Sequence, residues 1–501
     1  MKHSWCFSIL MLLLASPVIM AQTVTEKPRT IVTTDGEIDD IDSFIRMLLY
    51  ANEFTIEGLV YSSSMWHYKG DGNGTKFISE MDMTKKMYGE KTDLRWPGTT
   101  WMEELLNDYD QIYPNLTKHA DGYPTADYLR GLVRVGNIDF EGEMKKITPG
   151  SEFIKKKLLD DDPSPIYLQV WGGTNTIARA LKSIEEEYKG KGNWTAVYDK
   201  VCSKTVIYAI LDQDATYKNY IAPNWPDLKI FYNSNQFWCF AYPWKKAVPE
   251  TQHYLFEGDF MGKEIIQNHG PLLKNYYSYG DGQKQEGDDE HIHGDPNKIS
   301  GGQWGDFGKY DFISEGDSPA YLHLIAVGLD NIEHPEWGGW GGRLVQSKEH
   351  PNRWEDGESA VDYNPFTKEM DATYPQIRWI AAIQNDFAAR ADWCILDYAN
   401  ANHAPTVSVH SPKEISAKAG DRLTLKIDAS DPDGDELKIN FWVYKEVGSY
   451  SGEAHIDQKN NSAEVTLPDN EKGELHIIAE VEDNGVHPMT RYARFVIDVR
   501  P

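Results

Sequence analysis

Basic residues are scarce in this sequence. Its 501 residues include 50 Lys and Arg against 78 Asp and Glu, which gives a formal net charge of −28. Nucleic acids and anionic membranes are bound through basic patches, so this balance argues against both classes of partner. The partner should be neutral or cationic. The chain is rich in Trp and Tyr, which can pack against the apolar faces of sugars, although core packing also explains this composition.

Cysteine is scarce as well. The chain has four, of which Cys6 lies near the start and the others are Cys202, Cys239 and Cys394. Three thiols in a chain of this size imply no disulfide framework. One bridge is an alternative, and three buried, reduced cysteines are the interpretation we prefer.

Long apolar runs are missing after the first 21 residues, so no segment reaches the ~20 apolar residues that a transmembrane helix needs. The chain begins with Lys2 and His3, an apolar run from Phe7 to Leu14, and small residues up to Ala21. This order is typical of a secretory signal peptide cut after Ala21. We therefore expect a soluble mature protein that is secreted or periplasmic.

Four carboxylates follow one short apolar strand. The β-branched run Thr30–Thr33 predicts a buried strand, the apolar spacing from Phe44 to Tyr50 predicts a helix, and Thr55–Tyr61 predicts a second, parallel strand. Ligands bind beyond the carboxyl ends of the strands in such sheets. The turn at the end of the first strand carries four acidic residues: Asp35, Glu37, Asp39 and Asp40.

Crowded carboxylates repel one another unless a cation or backbone N–H groups offset their charge. Hard oxygen ligands of this kind favour calcium or magnesium over zinc. The alternative is that Asp39 or Asp42 simply caps the following helix, because negative charge is favourable near a helix N-terminus.

A second strand-turn-helix unit begins at Ile166. The segment Ile166–Trp171 predicts a buried strand, two glycines form a turn, and Thr174–Ile184 predicts a helix. A later strand is predicted at Leu228–Tyr232. Asn233 and Asn235 follow it and are candidates for hydrogen bonds to sugar hydroxyls, although Asn serves more often as a turn former.

Two loops border the predicted site. Trp66 and His67 follow the second strand in a Gly-rich loop and are candidate ligand contacts, with simple solvent exposure as the alternative. Residues 280–310 are polar, and a loop of this length is usually a functional lid or a disordered insertion. Its pair His291 and His293 stands beside Asp289 and Glu290. Without a third ligand, a solvated loop is preferred to a transition-metal site.

Two segments late in the first domain carry further candidates. Glu315 and Asp317 precede a predicted helix that opens with Ser318 and Pro319. Residues 335–343, PEWGGWGGR, contain Trp337, Trp340 and Arg343. This segment is either a sugar-stacking platform or a packed loop in which the glycines make room for the indoles.

The pattern changes near residue 400. A predicted helix, Tyr374–Tyr398, is followed by a linker, and residues 404–501 then alternate with turns about every ten residues. This spacing predicts an all-β sandwich. We expect the domain at 22–403 to fold without it. The turn Ser430–Leu437, SDPDGDEL, is interpreted as a plain Asp/Gly turn, with calcium binding as the alternative.

The acidic segment resembles a known signature. T-T-D-G-E-I-D-D at residues 33–40 is similar to the D-x-D-P-G-x-D-D motif of nucleoside hydrolases. W-G-G-T-N-T-I-A at 171–178 and E-G-D-S-P at 315–319 resemble two later segments of that family, in the same order. The chain departs from the pattern at Thr33 and Gly316, where the family has Asp and His. The acidic turn at 430–437 resembles those of cadherin-like and polycystic-kidney-type modules.

The whole arrangement resembles a family of secreted bacterial cellulose-binding proteins. The implied fold class is α/β, with a nucleoside-hydrolase-like, mostly parallel sheet flanked by helices, followed by a small all-β immunoglobulin-like sandwich. The resemblance to nucleoside hydrolases implies Ca²⁺ and a general base at Asp35. The implied metal ligands are Asp35, Asp39, Asp40, Asp317 and the carbonyl of Trp171.

The resemblance implies a secreted, calcium-dependent hydrolase of a glycosidic or N-glycosidic bond. Its substrate would be a carbohydrate or nucleoside-like molecule of plant origin. The alternative is a non-catalytic protein that binds cellulose or another polysaccharide with the same pocket and its aromatic loops. The candidate substrate-binding residues are Trp66, His67, Asn233, Asn235, Glu315, Trp337, Trp340 and Arg343.

Overall fold

The computed structural model describes residues 27–289 and 292–501. They form an α/β domain followed by a β-sandwich. The predicted signal peptide and the predicted start of the first domain at residue 22 lie outside these ranges, and so do Glu290 and His291. Within the described ranges, no helix is long and apolar enough to cross a membrane.

A mostly parallel sheet forms the centre of the first domain. The strands of this domain are β1 (Arg29–Thr34), β2 (Thr55–Tyr61), β3 (Phe77–Ile78), β4 (Glu90–Lys91), β5 (Val133–Val135), β6 (Ile166–Val170), β7 (Thr205–Ile210), β8 (Lys229–Asn233), β9 (Val345–Gln346), β10 (Arg353–Glu355), β11 (Asp362–Asn364) and β12 (Glu369–Asp371). Eight of them form one sheet in the order β5-β2-β1-β6-β7-β8-β10-β9. All its neighbours pair in parallel except β9 with β10. The pairs β3–β4 and β11–β12 are small antiparallel sheets.

Helices cover both faces of this sheet. They are α1 (Ile38–Leu49), α2 (Asp82–Tyr88), α3 (Trp101–His119), α4 (Ala126–Arg130), α5 (Pro149–Leu159), α6 (Asn175–Tyr188), α7 (Trp194–Lys204), α8 (Ala222–Asn224), α9 (Trp244–Ala247), α10 (Gly258–Phe260), α11 (Ser318–Leu322), α12 (Tyr374–Ile377) and α13 (Ile380–Trp393).

Alternation along the strands builds a separate core on each face. In β1, Val32 packs into the core that contains α1, α3 and α13, whereas its neighbour Ile31 packs into the core that contains α5, α6 and α7. Successive strand residues point to opposite faces, so a strand buried on both sides is apolar throughout. The central residues of β1 follow this rule, and its buried threonines are accommodated because Thr30 Oγ1 and Thr33 Oγ1 donate to carbonyls of β6.

The second domain is a sandwich of two four-stranded sheets. Its strands are β13 (Thr406–Val409), β14 (Glu414–Lys418), β15 (Arg422–Ser430), β16 (Lys438–Val443), β17 (His455–Lys459), β18 (Ser462–Thr466), β19 (Gly473–Glu482) and β20 (Thr490–Arg500). The sheets have the orders β13-β15-β18-β17 and β14-β20-β19-β16. Within the described residues of the sandwich, only β14 and β20 pair in parallel. The predicted fold class is therefore confirmed.

Two predicted helices differ from the structure. Helix α1 begins at Ile38, so Asp39 and Asp40 lie in its first turn and not on the preceding turn. The helix expected from Tyr374 to Tyr398 consists instead of α12 and α13, which are separated at residues 378–379. The three thiols at Cys202, Cys239 and Cys394 are free, as preferred, but only Cys239 and Cys394 are buried and Cys202 is partly exposed.

The two domains share a hydrophobic core. Tyr444 and Tyr492 of the sandwich belong to the same cluster of buried residues as Trp340 and Trp379 of the first domain. The rings of Trp379 and Tyr492 meet edge-on with 5.3 Å between centroids. The Tyr492 N–H also donates to the Val327 carbonyl at 2.8 Å. The expectation that the first domain is independent of the sandwich is therefore not supported, because their separation would expose these rings.

We expect Tyr492→Ala to destabilise both domains together. Removing a buried aromatic ring leaves a cavity and lowers the free energy of unfolding by about 3–5 kcal/mol. Calorimetry should show one transition shifted to lower temperature. Val486→Ala, at a side chain that is 70% exposed in the same domain, is the control and should leave the transition unchanged. Two separate transitions, with only that of the sandwich shifted, would contradict a shared core.

Candidate metal and ligand site

The candidate site lies at the edge of the large sheet where its parallel strands end. Asp35 directly follows β1, and residues 62–67 follow β2. Trp171 follows β6, and Asn233 is the last residue of β8. Parallel pairing of β1 with both β2 and β6 brings these distant parts of the sequence to one edge.

Three aspartates form an acidic cluster at this edge. Asp39 and Asp40 lie in the first turn of α1, and Asp317 immediately precedes α11. One carboxylate oxygen of each lies within 4.8 Å of the others. Asp40 and Asp317 are almost completely buried, and Asp39 is partly exposed. The fold thus brings together three residues that the sequence predicted as metal ligands from segments about 275 positions apart.

Neutral donors hold the acidic cluster in place. Asp40 Oδ1 accepts a hydrogen bond from Thr34 Oγ1 and another from the Asp35 N–H at 3.2 Å. Ser314 Oγ donates to Asp39 Oδ2 at 3.4 Å. These bonds fix the carboxylates but add no positive charge. Their repulsion is therefore left for another partner to offset.

Helix capping does not account for the cluster. The N-cap position of α1 is Glu37 and that of α11 is Asp317, and among the described residues no side-chain hydrogen bond caps either helix. Asp42 lies further inside α1, where its Oδ1 accepts a hydrogen bond from the Tyr277 N–H at 2.8 Å. The capping alternative for Asp39 and Asp42 is therefore not supported.

Burial and repulsion dominate the electrostatics of the cluster. Burial raises the pKa of Asp39, Asp40 and Asp317 well above the usual range, and neighbouring carboxylates raise each pKa further. An all-oxygen donor set suits a hard cation such as Ca²⁺, and it does not suit zinc. These residues therefore fit the ion that the resemblance to nucleoside hydrolases implies.

The backbone after β6 borders the same site. The Trp171 carbonyl accepts a hydrogen bond from Gln213 Nε2 at 3.1 Å, which leaves one lone pair for another partner. A Cβ atom at Gly172 would lie only 2.9 Å from Asp35 Oδ2. Glycine at position 172 therefore lets the carboxylate of Asp35 lie against the chain.

Asp35 and His67 form a second buried pair beside the cluster. His67 Nδ1 lies 4.0 Å from Asp35 Oδ2 and 3.8 Å from Glu37 Oε2, and His67 is completely buried. Burial raises the pKa of Asp35, and the nearby His67 opposes that rise. The solvent-exposed alternative for His67 is therefore wrong.

An arginine-carboxylate network closes the other side of His67. Asp288 Oδ2 lies 3.8 Å from His67 Nε2, and Arg95 donates to both oxygens of Asp288 at 2.8 and 3.0 Å. Arg95 also lies 3.7 Å from Glu37 Oε1, which accepts a hydrogen bond from Tyr242 at 2.9 Å. The hydrogen bonds and charges of Arg95 and His67 lower the pKa of Asp288, against the effect of its burial.

The polar insertion packs over the site. Gln285 Nε2 donates to the Gly36 carbonyl. The ring of His293 lies 5.6 Å from that of Tyr242 and 5.3 Å from that of Tyr279. Burial lowers the pKa of His293 to about 4. The expectation of a solvated loop is therefore wrong for His293, which lies partly buried between these rings, whereas most of the other described residues of this segment are exposed.

The carboxylate of Glu315 is bound by other buried residues of the protein. Its carboxylate lies 2.9 Å from Arg46 Nε, with both side chains completely buried. It also accepts hydrogen bonds from Tyr276 and from Ser318 Oγ, the latter at 2.6 Å. The guanidinium of Arg46 stacks 4.0 Å from the ring centre of Phe387. Glu315 therefore joins the segment before α11 to the core, and these partners occupy its carboxylate.

The predicted aromatic platform lies at the domain junction. Trp340 is completely buried, and Trp337 stacks on His334 with 3.6 Å between ring centroids. Arg343 is buried in an ion pair with Asp362 at 2.8 Å. The packed-loop alternative therefore describes this segment, and the sugar-stacking prediction is wrong for Trp340 because no face of its indole is open.

The remaining candidates are less central. Asn233 is buried, where its amide donates to Tyr208 OH and its carbonyl oxygen accepts from the Phe237 N–H. Asn235 is partly exposed, and its backbone N–H is bound to Asp356. Trp66 is partly exposed beside the buried His67. Trp66 therefore remains open to a ligand, whereas the Asn233 side chain already has protein partners.

Sequence reasoning missed several groups around the site. Arg95, Asp288, Tyr242 and Gln285 come from loops with no motif, and only the three-dimensional fold shows their proximity. The sequence analysis identified Glu37 as one of the four carboxylates, but it did not predict the hydrogen bond of Glu37 to Tyr242.

Comparisons with known proteins agree with this architecture. A family model described as "Cellulose-binding Sde182, nucleoside hydrolase-like domain" matches residues 29–344, which is more than half of the chain. The chain belongs to this family. A model described as "Cellulose-binding protein Sde0182, C-terminal domain" matches residues 422–499 of this Sde182-family chain. Among curated proteins, no relative matches.

Solved structures are similar to this Sde182-family chain over different lengths. A nucleoside hydrolase-related protein from Saccharophagus degradans, associated with carbohydrate metabolism, is 27% identical with a TM-score of 0.69, and the match covers 95% of this chain and 100% of that one. The type III effector XopQ, complexed with adenosine diphosphate ribose, is 11% identical with a TM-score of 0.35 over 74% of this chain and 95% of its own. The first likeness supports the nucleoside-hydrolase-like fold.

We expect the metal-free protein to lose stability as pH rises. Folding raises the pKa of the three cluster aspartates, so the folded state binds more protons than the unfolded state. The free energy of unfolding should fall as the pH rises from the unfolded-state pKa of about 4 to the raised pKa values of the folded state. The slope is at most about 1.4 kcal/mol per pH unit for each proton. Thermal unfolding in chelator at several pH values measures this slope.

Asp317→Asn should flatten that slope, because it removes one of the titrating groups. Asp121→Asn, at an exposed position, is the matched control and should leave the slope unchanged. An Asp317→Asn profile identical to that of the parent protein would contradict the assignment of the slope to the acidic cluster.

Proposed function

We propose that this chain is a secreted, calcium-dependent hydrolase of a glycosidic or N-glycosidic bond in a carbohydrate-containing substrate. The observation that carries the proposal is the convergence of Asp39, Asp40 and Asp317 beside Asp35. The family description, cellulose-binding with a nucleoside hydrolase-like domain, supports a carbohydrate as the partner. Export is supported by the leader-like first 21 residues of the sequence.

Three aspartates, Asp39, Asp40 and Asp317, would hold the calcium ion, with the Trp171 carbonyl and Asp35 as further oxygen donors at the same edge. A bound calcium ion supplies positive charge that lowers the pKa of a water molecule and orients a sugar diol. The buried carboxylates offer the negative charge that such an ion requires. This role explains why the fold keeps so much repulsion in one place.

Asp35 would accept the proton of an attacking water. Its Oδ1 is held by the Glu37 N–H at 3.2 Å, so Oδ2, which faces His67 and Gly172, is the oxygen available for the proton. Burial raises the pKa of Asp35 toward the range in which a carboxylate is an effective base. His67 Nδ1 lies 4.0 Å from Oδ2, and His67 opposes the rise in the pKa of Asp35.

We expect Asp35→Asn to lower the hydrolysis rate about 10²–10⁴-fold, because the amide cannot accept the proton. The assay is release of reducing sugar or free base from nucleosides, aryl glycosides and plant oligosaccharides, with calcium and with chelator. Asp121→Asn is the matched control. Release of reducing sugar or free base that persists in chelator, or in Asp35→Asn, would contradict the proposed mechanism.

Calcium should stabilise the folded protein through the same carboxylates. We expect Asp39→Asn to weaken calcium binding at least tenfold and to reduce the rise in melting temperature that calcium produces. Titration calorimetry and thermal unfolding measure the two effects. Equal melting temperatures of the parent protein with calcium and with chelator would rule out a calcium site here.

A second candidate function is carbohydrate binding without turnover. It is favoured by the departures from the nucleoside hydrolase pattern at Thr33 and Gly316. Asp35 and His67 are at most 1% exposed, and Gln285 donates to the Gly36 carbonyl. A substrate would reach Asp35 only after the polar insertion moved. The discriminating result is retention on cellulose without product release from any member of the panel above.

A further inference from the structure

A groove outside the acidic site lies between two segments of the first domain. One wall is the stretch 238–251, and the other is the β11–β12 hairpin with the residues that follow it. The groove is open to solvent and has a volume of about 700 Å³. This volume falls in the range of small-molecule sites, about 300–1,000 Å³.

The surface of the groove combines apolar faces with hydroxyl and amide groups. Trp238 and Phe366 stand on its two walls, and Phe366 is 48% exposed. Pro243 and Pro249 add rigid apolar surface. Aromatic rings of this exposure offer flat apolar area at little conformational cost. The apolar part of the groove is therefore suited to the flat faces of a sugar ring.

The polar part of the groove is fixed by the hairpin. Asn364 Nδ2 donates to Asp371 Oδ2 at 2.8 Å, and Thr373 Oγ1 donates to Asp371 Oδ1 at 2.7 Å. The Phe366 N–H donates to Asn364 Oδ1 at 3.0 Å, which fixes the backbone that carries the exposed ring. Because these bonds are made within the protein itself, binding would require little ordering of this wall.

The charges at the groove and on the whole chain disfavour an anionic ligand. The charged residues at the groove are Lys246, Glu250 and Asp371. They leave no excess of positive charge, and the chain as a whole has a formal net charge of −28. An anionic polymer would be repelled at long range. A neutral ligand with many hydroxyl groups is the class that fits both the charge and the aromatic walls.

One segment connects this groove to the acidic site. Phe237, next to Trp238, lies against Gly316, where a Cβ atom would be 3.4 Å from its ring. Tyr242, next to Pro243, donates to Glu37 at 2.9 Å. The segment 237–243 therefore has the acidic site on one side and the groove on the other. A polymer in the groove would lie beside the acidic site without occupying it.

We propose that this groove binds a neutral polysaccharide chain, with Trp238 and Phe366 as the stacking residues. The proposal rests on the proposed function only for the class of ligand, carbohydrate, and it requires neither calcium nor catalysis. The groove would hold the polymer while the acidic site acts on, or recognises, a separate part of it.

The test uses the full-length protein with microcrystalline cellulose and with cellohexaose as probes, in calcium and in chelator. We expect Trp238→Ala and Phe366→Ala each to weaken retention on cellulose and the affinity for cellohexaose about tenfold. Tyr128→Ala removes an aromatic side chain that is 45% exposed on α4, outside the groove, and is the matched control. Phe366 is the decisive position, because its exposure makes misfolding of the variant a poor explanation; circular dichroism checks this.

Asp39→Asn separates the two proposals. It should lose calcium-dependent hydrolysis and keep its retention on cellulose, in calcium and in chelator alike. If the parent protein hydrolyses nothing while Phe366→Ala still weakens retention, the proposed catalysis fails and the groove stands. If Phe366→Ala and Trp238→Ala bind both probes like the parent protein, the groove proposal is overturned. Self-association lost in Phe366→Ala, without cellulose binding, would assign the groove to a second copy of the chain and overturn it too.

Discussion

Repulsion among buried carboxylates is the constraint on which the site depends. Asp39, Asp40 and Asp317 are brought within a few ångströms of one another by two helix starts that pack against the same sheet edge. Thr34 and the backbone after β1 hold Asp40 by neutral hydrogen bonds, which orient its carboxylate without cancelling its charge. Such an arrangement opposes folding unless protons or a cation complete it. The folded acidic edge is therefore stable only when protons or a cation offset the repulsion of its carboxylates.

The arginines around that edge are paired with carboxylates outside the acidic cluster. Arg95 does not approach the three aspartates as a counter-ion; it is bound to Asp288 and lies near Glu37. Another buried cation, Arg46, is paired with Glu315. The fold therefore places its arginines on the neighbours of the acidic cluster. The ionised form of the cluster is therefore left without an arginine partner, whereas Asp288 and Glu315 beside it are paired.

Local patterns predicted the fold better than they predicted the site. The strand Thr55–Tyr61 was predicted with its observed bounds, because a β-rich run that follows a strand and a helix indicates the next strand of a β-α-β unit. The acidic cluster was also predictable, since its residues belong to short motifs. Arg95, Asp288 and Gln285 were not, because their proximity arises from loops that fold back over the edge. The packed state of Trp340 was hidden as well, because a Gly-Trp loop has the same sequence whether a second domain covers it or not.

The common core of the two domains has a consequence for how this protein can evolve. Many carbohydrate-binding modules are joined to enzymes by flexible linkers and can be exchanged as cassettes, since each buries its own core. Here Arg494 of the sandwich donates to the carbonyls of Leu329 and Trp337, and Tyr444 donates to Asp362 of the first domain. A sandwich taken from another protein would remove these donors from the two carbonyls and one donor from that carboxylate, which would keep its bond to Arg343. The two domains must therefore change in step, as the halves of a single inherited unit.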